Sequence, residues 1–300
     1  PLTARRVGDA LLNNALIIIM VLSVIYIAIK NPNFIKPASL INILSQTAAY
    51  LPAALGIAGC IVLTGTDLSA GRVVGLTACI SASLLQNSAN LANKMWPGIG
   101  TLPIFVVILM AMLIGALVGC FNGFFVAKFK LHPFIVTLGT QLILYTGLLL
   151  YVQQGNNKGM AISNLDPSYT NFVKGSLFSI GGTPIPNYVL FAIVLTAVMW
   201  FVWNKTTFGK NMFAVGSNAD AAKVSGVNVF WTTVMVHTLA GAMYGVTGFI
   251  EGARISSITQ SAGLNYECDA IAACVIGGVS FVGGTGKISG IVLGVLILRI

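Results

Sequence analysis

The sequence predicts an all-α polytopic membrane protein that crosses the bilayer about nine to ten times. Hydrophobic residues make up 56% of the 300 residues and charged residues only 8%, and the mean hydropathy is +0.90. A soluble domain carries about a quarter charged residues, so a water-soluble globule is excluded. Apolar runs recur from one end of the chain to the other, and we interpret residues 1–300 as a single membrane domain.

The apolar runs are the basis for the count of crossings. The first is followed by Lys30 and Asn31-Pro32 rather than by a cleavage pattern, so we interpret it as a retained helix. Several runs are shorter than the roughly 20 residues a crossing needs, and we expect the last helix to be cut short at Ile300. The predicted runs are 15–29, 45–63, 72–85, 102–127, 134–152, 187–203, 230–250, 269–276 and 288–300.

Basic residues favour a cytoplasmic N-terminus. If the chain starts inside, alternate loops place eight lysines and arginines in the cytoplasm, including Arg5 and Arg6, and five outside. The net charge of +9 therefore indicates topology. A nucleic-acid partner is not expected, because no cluster of basic residues is long enough to follow phosphates.

We find no motif in the sequence that indicates a bound cofactor or metal ion. His132 and His237 have no partners at ligand spacing, so we expect no metal site. The segment ending in Gly286-Lys287 fails as a P-loop, because Phe281 stands where glycine is required. Five cysteines without CxxC spacing are interpreted as packing residues, and they are Cys60, Cys79, Cys120, Cys268 and Cys274.

A first glycine-bracketed break lies between two apolar runs, at residues 65–71. Asp67 or Ser69 can cap the following helix, and Arg72 is near enough in sequence to compensate the Asp67 charge. An ionisable residue at bilayer depth costs about 2.5–3.5 kcal/mol on insertion scales. We expect either an interfacial turn or a pair of half-helices that point into a pathway, with Thr66 among its residues.

A second break follows Glu267 and Asp269, which suit the first turn of a helix because of its dipole. Residues 277–286 contain five glycines and Ser280. Such glycines are typical either of close helix packing or of a pathway element. The two breaks are alike enough to indicate a weak internal repeat. We also expect an ion pair between Glu251 and Arg254, three residues apart.

Two short helices are expected in polar loops. In the first, Asp166 is the N-cap, Pro167 is the first helical residue and Gly175 ends the helix. We interpret this helix either as a docking surface or gate on the outer side, or as a surface turn. The second begins at Ser217 or Asn218. A helix this short is marginal in water, so it docks either on the protein itself or on a cytoplasmic partner. Its segment contains Phe208, Gly209, Lys210, Asn211, Gly216, Asn218, Asp220, Ala221, Ala222, Lys223 and Gly226.

Three motifs, at 65–71, 208–226 and 269–280, resemble the monosaccharide permeases of bacterial ABC importers, with the nearest likeness to the galactose/methyl-galactoside branch. The resemblance covers nearly the whole chain. It implies a homodimer in the inner membrane, with about ten helices per subunit and both termini cytoplasmic. It also implies two other partners, a periplasmic sugar-binding protein and a separate ATPase that seats the helix at 218–226.

The resemblance makes the chain a transport subunit rather than an enzyme, and the sugar remains open between galactose and ribose or another pentose. A rival interpretation is an ion-coupled secondary sugar carrier, in which Asp67, Glu267 or Asp269 binds the coupling cation. A passive channel or scaffold is a third. The residues expected along the translocation path or gate are Thr66, Asp67, Ser69, Arg72, Glu267, Asp269 and Ser280.

Overall fold

The computed structural model describes residues 15–89, 91 and 94–300. This part of the chain is mainly helical, whereas Arg5 and Arg6 lie outside it. The helices are α1 (Ala15–Lys30), α2 (Pro37–Val62), α3 (Ala70–Leu84), α4 (Ile104–Phe129), α5 (Pro133–Val152), α6 (Pro167–Lys174), α7 (Asn187–Lys205), α8 (Thr207–Ser217), α9 (Ala219–Val224), α10 (Val229–Ile255), α11 (Tyr266–Ile276) and α12 (Ile288–Arg299), with a 3-10 turn at Pro32–Ile35 and strands β1 (Ser176–Ile180) and β2 (Thr183–Pro186).

Every apolar run predicted from the sequence forms a helix, and the polytopic class is confirmed. Within the described residues, five helices are long and apolar enough to cross a membrane, namely α2, α4, α5, α7 and α10. Helices α3 and α12 are apolar but shorter. At 1.5 Å per residue, the 15 residues of α3 reach only about 22 Å of a core about 30 Å thick. The count of nine to ten crossings stays a prediction.

The core is built on close backbone contacts between α10 and its neighbours. A Cβ atom added at Gly115 or Gly119 of α4 would overlap the carbonyl oxygen of Gly241 or His237 in α10. Small residues are the usual means by which membrane helices approach each other, because lipid provides no hydrophobic drive for their association. Glycine is therefore required where α4 crosses α10. These close contacts make α10 the central helix.

The chain between α10 and α11 turns back into the molecule, and we call residues 256–265 the return loop. Added Cβ atoms at Gly71 and Gly75 of α3 would overlap carbonyl oxygens of Gly263 and Ala262 in this loop. The backbone of α3 thus lies directly against the return loop. As a result, the short helices α3 and α11 begin close together inside the molecule.

The all-α expectation needs one correction, because β1 and β2 form an antiparallel hairpin after α6. Gly181 and Gly182 occupy its turn with φ of 58° and 79°, and this left-handed conformation suits glycine. Helix α6 itself begins and ends as predicted. The Ser168 amide donates to Asp166 Oδ1 at 2.8 Å, and the Gly175 amide donates to the Asn171 carbonyl.

The hairpin and the short helices α8 and α9 lie at opposite ends of α7. We call the end that carries α6 and the hairpin the hairpin face, and the other end the α9 face. Tyr169 anchors α6 at the hairpin face by donating its hydroxyl to the Phe249 carbonyl. Burial raises the pKa of this hydroxyl, which therefore stays protonated and remains a donor.

Candidate functional site: the glycine-rich breaks and the short helices

The segment after α7 folds into two consecutive short helices. The Gly209 amide donates to the Thr206 hydroxyl at 3.2 Å at the start of α8. Asn218 ends α8 and caps α9, since its Oδ1 accepts from the Ala221 amide at 2.9 Å. The predicted cap, acidic first turn and basic last turn of α9 are therefore present. Gly226 follows with φ of 85°.

Helix α9 has one side turned inward and one turned to solvent. Ala222 is buried, and its carbonyl accepts from the Val227 amide at 3.0 Å. Ala221 is exposed, and Val224 is 91% exposed. A six-residue helix that keeps an apolar side chain this open offers a surface for another molecule.

The end of α8 touches the end of α2 and the second glycine-rich break. A Cβ at Gly216 would overlap the carbonyl oxygen of Val62, the last residue of α2. The Gly284 amide donates to that same carbonyl at 2.9 Å, and a Cβ at Gly284 would overlap the Ser217 side chain. Three segments that are distant in sequence are thus in backbone contact at one point.

Asp67 lies at the bottom of the first break and is fully buried. Its Oδ1 accepts from the Ser69 amide at 2.9 Å and from the Ser69 hydroxyl at 2.6 Å. Asn122 Nδ2 donates to Ser69 Oγ at 2.9 Å, and Thr140 donates to Asn122 Oδ1 at 2.6 Å. A chain of hydrogen bonds between polar side chains, which we call the polar chain, therefore joins the start of α3 to α4 and α5. It provides partners for polar groups whose burial without a hydrogen bond would be costly.

The expected pairing of Arg72 with Asp67 is wrong. Arg72 turns toward α5, where its guanidinium carbon lies 4.5 Å from the centroid of the Tyr145 ring. Arg72 Nη1 is buried without a hydrogen-bond partner, whereas the Asp67 carboxylate also interacts with the buried Tyr244 hydroxyl. Asp67 is held by Ser69 before the helix begins, whereas Arg72 projects from its first turn, so the two side chains diverge.

Glu267 belongs to the same interior region as Arg72. Its Oε1 accepts from Gln141 Nε2 at 3.3 Å, and a Cβ at Gly71 would overlap its Oε2. Glu267 and Asp269 both lie in the first turn of α11, as predicted. The structure therefore brings the starts of the two half-length helices together, with a carboxylate beside each.

Asp269 and Ser280 are separated from this region. Asp269 Oδ2 accepts from Arg299 at 2.8 Å. Ser280 lies in a tight turn of the second break, where its hydroxyl accepts from the Val282 amide at 3.2 Å. Thr66 is half-buried, and its carbonyl accepts from the Thr137 hydroxyl at 3.4 Å. The seven residues expected along a path therefore do not form one continuous lining in this conformation.

Of the remaining predictions about individual residues, some are confirmed and one is wrong. The Glu251–Arg254 ion pair is confirmed, with Arg254 Nε 2.6 Å from Glu251 Oε1. Cys60, Cys79 and Cys274 are buried as predicted. The packing interpretation is wrong for Cys268, which is exposed, because it lies on the open side of the first turn of α11.

Neither histidine has a metal-site environment in the described part of the chain. His132 accepts from the Phe134 amide at 3.3 Å, and His237 Nδ1 lies 2.9 Å from the Thr233 carbonyl. Across residues 15–89, 91 and 94–300, no three His, Cys, Asp or Glu side chains are grouped so that they could hold a metal ion.

Sequence reasoning missed the partners that surround the first break, namely Asn122, Thr140, Gln141 and Tyr145. One signal was present. Asn122 is a polar residue inside a long apolar run, and such residues at bilayer depth usually face the bundle interior. The residues on α5 gave no comparable signal, because that helix also carries polar side chains on its exposed side.

These features define a polytopic membrane transport component rather than an enzyme. Residues 39–300 match the family described as the branched-chain amino acid transport system / permease component. The chain belongs to this family of permeases, and it is a multi-pass protein of the inner membrane. No solved structure gave a significant match.

Curated relatives extend along nearly the whole chain. The galactose/methyl galactoside import permease protein MglC of Escherichia coli (strain K12) is 44% identical over 95% of this chain and 83% of its own length. The protein of the same name from Haemophilus influenzae is 42% identical over 97% and 86%. The ribose import permease protein RbsC of Escherichia coli (strain K12) is 34% identical over 95% and 82%.

Proposed function

We propose that this chain is the permease subunit of an ABC importer that moves galactose or methyl galactoside into the cell, driven by a separate ATPase subunit. Identity to the galactose/methyl galactoside permeases exceeds identity to the ribose permease over similar lengths. This difference supports a hexoside substrate over a pentose. A periplasmic binding protein delivers the sugar, and no covalent chemistry takes place on it.

The single observation that carries the proposal is the contact of α8 with the end of α2 and with the second glycine-rich break. Gly216 touches Val62 at the end of α2, and Ser217 touches Gly284. Any displacement of α8 must therefore displace the ends of α2 and of the second break, because these backbones have no side chains between them that could yield. A motor that moves α9 thus has a mechanical connection to the interior.

Helix α9 is the proposed seat of the ATPase. Asp220 and Lys223 are exposed and offer charges of both signs beside the apolar Val224. Its single turn and a half is too short to be stable alone, and a cleft in the partner supplies the missing contacts. Residues of the preceding segment, from Phe208 to Asn211, position it.

Two copies of the chain are proposed to enclose the path, each with nine to ten crossings and a cytoplasmic N-terminus. In this arrangement the α9 face is cytoplasmic and the hairpin face is periplasmic. The path residues proposed are those at the starts of α3 and α11, with Asp67, Arg72 and Glu267 as the charged members. Weak binding of the sugar along the path favours its release on the cytoplasmic side.

The test of the docking surface is Ala221→Arg. We expect loss of the bound ATPase and a fall in galactose uptake of about tenfold or more, the change expected when a contact at the centre of an interface is blocked. Insertion and thermal unfolding should be unchanged, because Ala221 makes no buried contact. Ala89→Arg, at an exposed site near the hairpin face, is the matched control. Normal uptake by Ala221→Arg would remove α9 as the docking element.

Reconstitution decides between the importer and the secondary carrier. The buried carboxylate of Asp67 is the observation that favours a carrier, since a carboxylate at bilayer depth can bind a coupling cation. In liposomes, we expect the chain alone to move no galactose on a sodium or proton gradient. Addition of the ATPase, the binding protein and ATP should restore transport. Uptake by the chain alone would establish the carrier instead.

A further inference from the structure

A large apolar groove lies between α2, α7 and α12, away from the starts of α3 and α11. Its volume is about 700 Å³, which is within the roughly 300–1,000 Å³ of ligand sites. Each of the three helices contributes both buried and exposed apolar side chains to its lining. Ala48, Ala192 and Ile288 are buried, whereas Leu44, Ile193 and Leu293 are exposed. An open apolar surface of this size indicates a binding partner.

Two of the polar side chains in the groove are already bonded within their own helices. The Thr47 hydroxyl donates to the Ile43 carbonyl at 2.9 Å, and the Thr196 hydroxyl donates to the Ala192 carbonyl at 2.6 Å. A polar ligand would therefore give up its hydrogen bonds to water and find few replacements, which is costly. The groove suits an occupant that is apolar along most of its length.

The groove follows α7 over a distance that suits an acyl chain. Its lining residues on this helix run from Val189 to Trp200, which is about 16 Å at 1.5 Å per residue. One leaflet of a hydrocarbon core about 30 Å thick has nearly the same depth. Trp200 marks the end of the groove that is nearer the α9 face. A lipid with its headgroup at that end can therefore fill the groove with an acyl chain.

Two exposed lysines flank the end of the groove that is nearer the α9 face. Lys205 ends α7, and its Nζ lies 5.6 Å from the centroid of the Trp200 ring. Lys287 directly precedes Ile288 and Ser289 of the lining, and no side chain caps the start of α12. Within the described residues, neither lysine belongs to an ion pair. Two unpaired positive charges and the free amides of a helix start complement a phosphate group.

We propose that this groove is a binding site for an anionic glycerophospholipid, with an acyl chain along α7 and the phosphate beside Lys205 and Lys287. A zwitterionic lipid fits less well, because the same lysines repel its ammonium group. A second copy of the chain is also a weaker candidate, since the sequence has only 7 acidic residues against 16 lysines and arginines. It therefore offers few counter-ions to the two lysines. The site does not depend on which sugar the chain moves.

Native mass spectrometry of the whole chain tests the site, with phosphatidylglycerol and phosphatidylcholine added in equal amounts. We expect the unaltered chain to retain phosphatidylglycerol preferentially. The double variant Lys205→Gln, Lys287→Gln removes both charges and keeps long side chains. Its affinity for phosphatidylglycerol should fall by about fivefold for each lysine lost. The matched control is Lys128→Gln, Lys130→Gln, an exposed pair at the α9-face end of α4, which should retain the lipid normally.

A second pair of variants tests the groove itself. Ala197→Trp places a large side chain in the groove without changing a charge, and retention of phosphatidylglycerol should fall. Val198→Trp is the matched control, because Val198 is exposed on the same helix but does not line the groove. Thermal unfolding of the same samples shows whether each variant is folded.

Three results would overturn the site. The first is equal retention of the two lipids by the unaltered chain, and the second is equal loss of phosphatidylglycerol in the two lysine double variants. The third is a disulfide between two copies of Ile193→Cys in the membrane, which would assign the groove to a second copy of the chain. All these measurements are made without the ATPase, the binding protein or sugar. Their outcome is therefore independent of the proposed function.

Discussion

At the residue scale, the most informative positions are glycines whose hydrogen atom faces another backbone. Gly216 is such a position, since a side chain there would overlap Val62 and crowd the Gly284 amide. Gly147 of α5 is the opposite case, because nothing lies within 4 Å of its added Cβ. The two glycines look alike in sequence, and only the packing distinguishes them.

Gly216→Val is predicted to be destabilising and inactive. Backbone atoms on both sides cannot move aside as a flexible side chain could, so we expect a loss of about 1–3 kcal/mol of stability from overpacking. Galactose uptake should fall further than stability alone explains, because the contact of α8 with the end of α2 and with the second break is disrupted. Thermal unfolding in detergent and uptake in cells measure the two effects.

Gly147→Ala is the control for this substitution. It adds a methyl group to a helical glycine in open space, and alanine is the better helix former by roughly 1 kcal/mol. Stability should therefore be unchanged or slightly increased, with normal uptake. Equal behaviour of the two variants would contradict the close contact at Gly216.

Sequence reasoning at this scale succeeded for neighbours and failed for distant partners. Glu251 and Arg254 are three residues apart on one helix, so their pairing follows from helix geometry. Asp67 and Arg72 are similarly close in sequence, but Asp67 lies before the helix that begins at Ala70, whereas Arg72 is part of it. The direction of Arg72 depends on Tyr145, more than seventy positions away, and no local pattern contains that information.

At the element scale, short helices with capping residues could be predicted, whereas turns of the chain back into the molecule could not. The caps at Asp166 and Asn218 are local signals, and both helices begin where those signals are. The hairpin had a signal in Gly181-Gly182, a dipeptide typical of two-residue hairpin turns. The return loop had none, because its path is determined by glycines of α3 that the loop itself does not contain.

Helices α3, α4 and α5 are held together by the polar chain from Asp67 to Thr140. Asn122→Leu keeps a similar volume but leaves the Ser69 and Thr140 groups without their shared partner. We expect a loss of about 1–3 kcal/mol, the cost of buried polar groups that lose a hydrogen bond. Thermal or denaturant unfolding of the purified chain measures it.

Thr146→Val is the matched control for the polar chain. Its hydroxyl bonds only to the Leu142 carbonyl of its own helix, at 3.1 Å, on an exposed side of α5. Removal should change stability by a few tenths of a kcal/mol at most, as at other surface positions. A large effect at Thr146 together with none at Asn122 would show that the three helices are held by apolar packing alone.

At the scale of the whole molecule, the arrangement depends on α7. This helix is the one element among the described residues between the hairpin and α8. Its 19 residues reach about 28 Å, close to the thickness of the hydrocarbon core. A single crossing places the hairpin and α9 on opposite sides of the membrane. A binding protein outside and an ATPase inside can then act on the same chain.

Side-specific thiol labelling tests this division. The background variant is Cys268→Ser, which removes the exposed native thiol. In this background, Ser179→Cys reports on the hairpin face and Ala221→Cys reports on the α9 face. Both positions are exposed. A maleimide that cannot cross membranes should label Ser179→Cys in intact spheroplasts. Ala221→Cys should react only after permeabilisation, and bound ATPase should then protect it.

The pattern of labelling separates the causes of failure. Reaction of both cysteines from outside would mean that α7 does not cross, and α9 could not then receive a cytoplasmic motor. Reaction of Ala221→Cys alone from outside would mean that the molecule is inverted, with the hairpin face in the cytoplasm. Only the expected order, hairpin outside and α9 inside, lets a binding protein deliver sugar at the hairpin face and lets a cytoplasmic ATPase act on the end of α2 and the second break through α8.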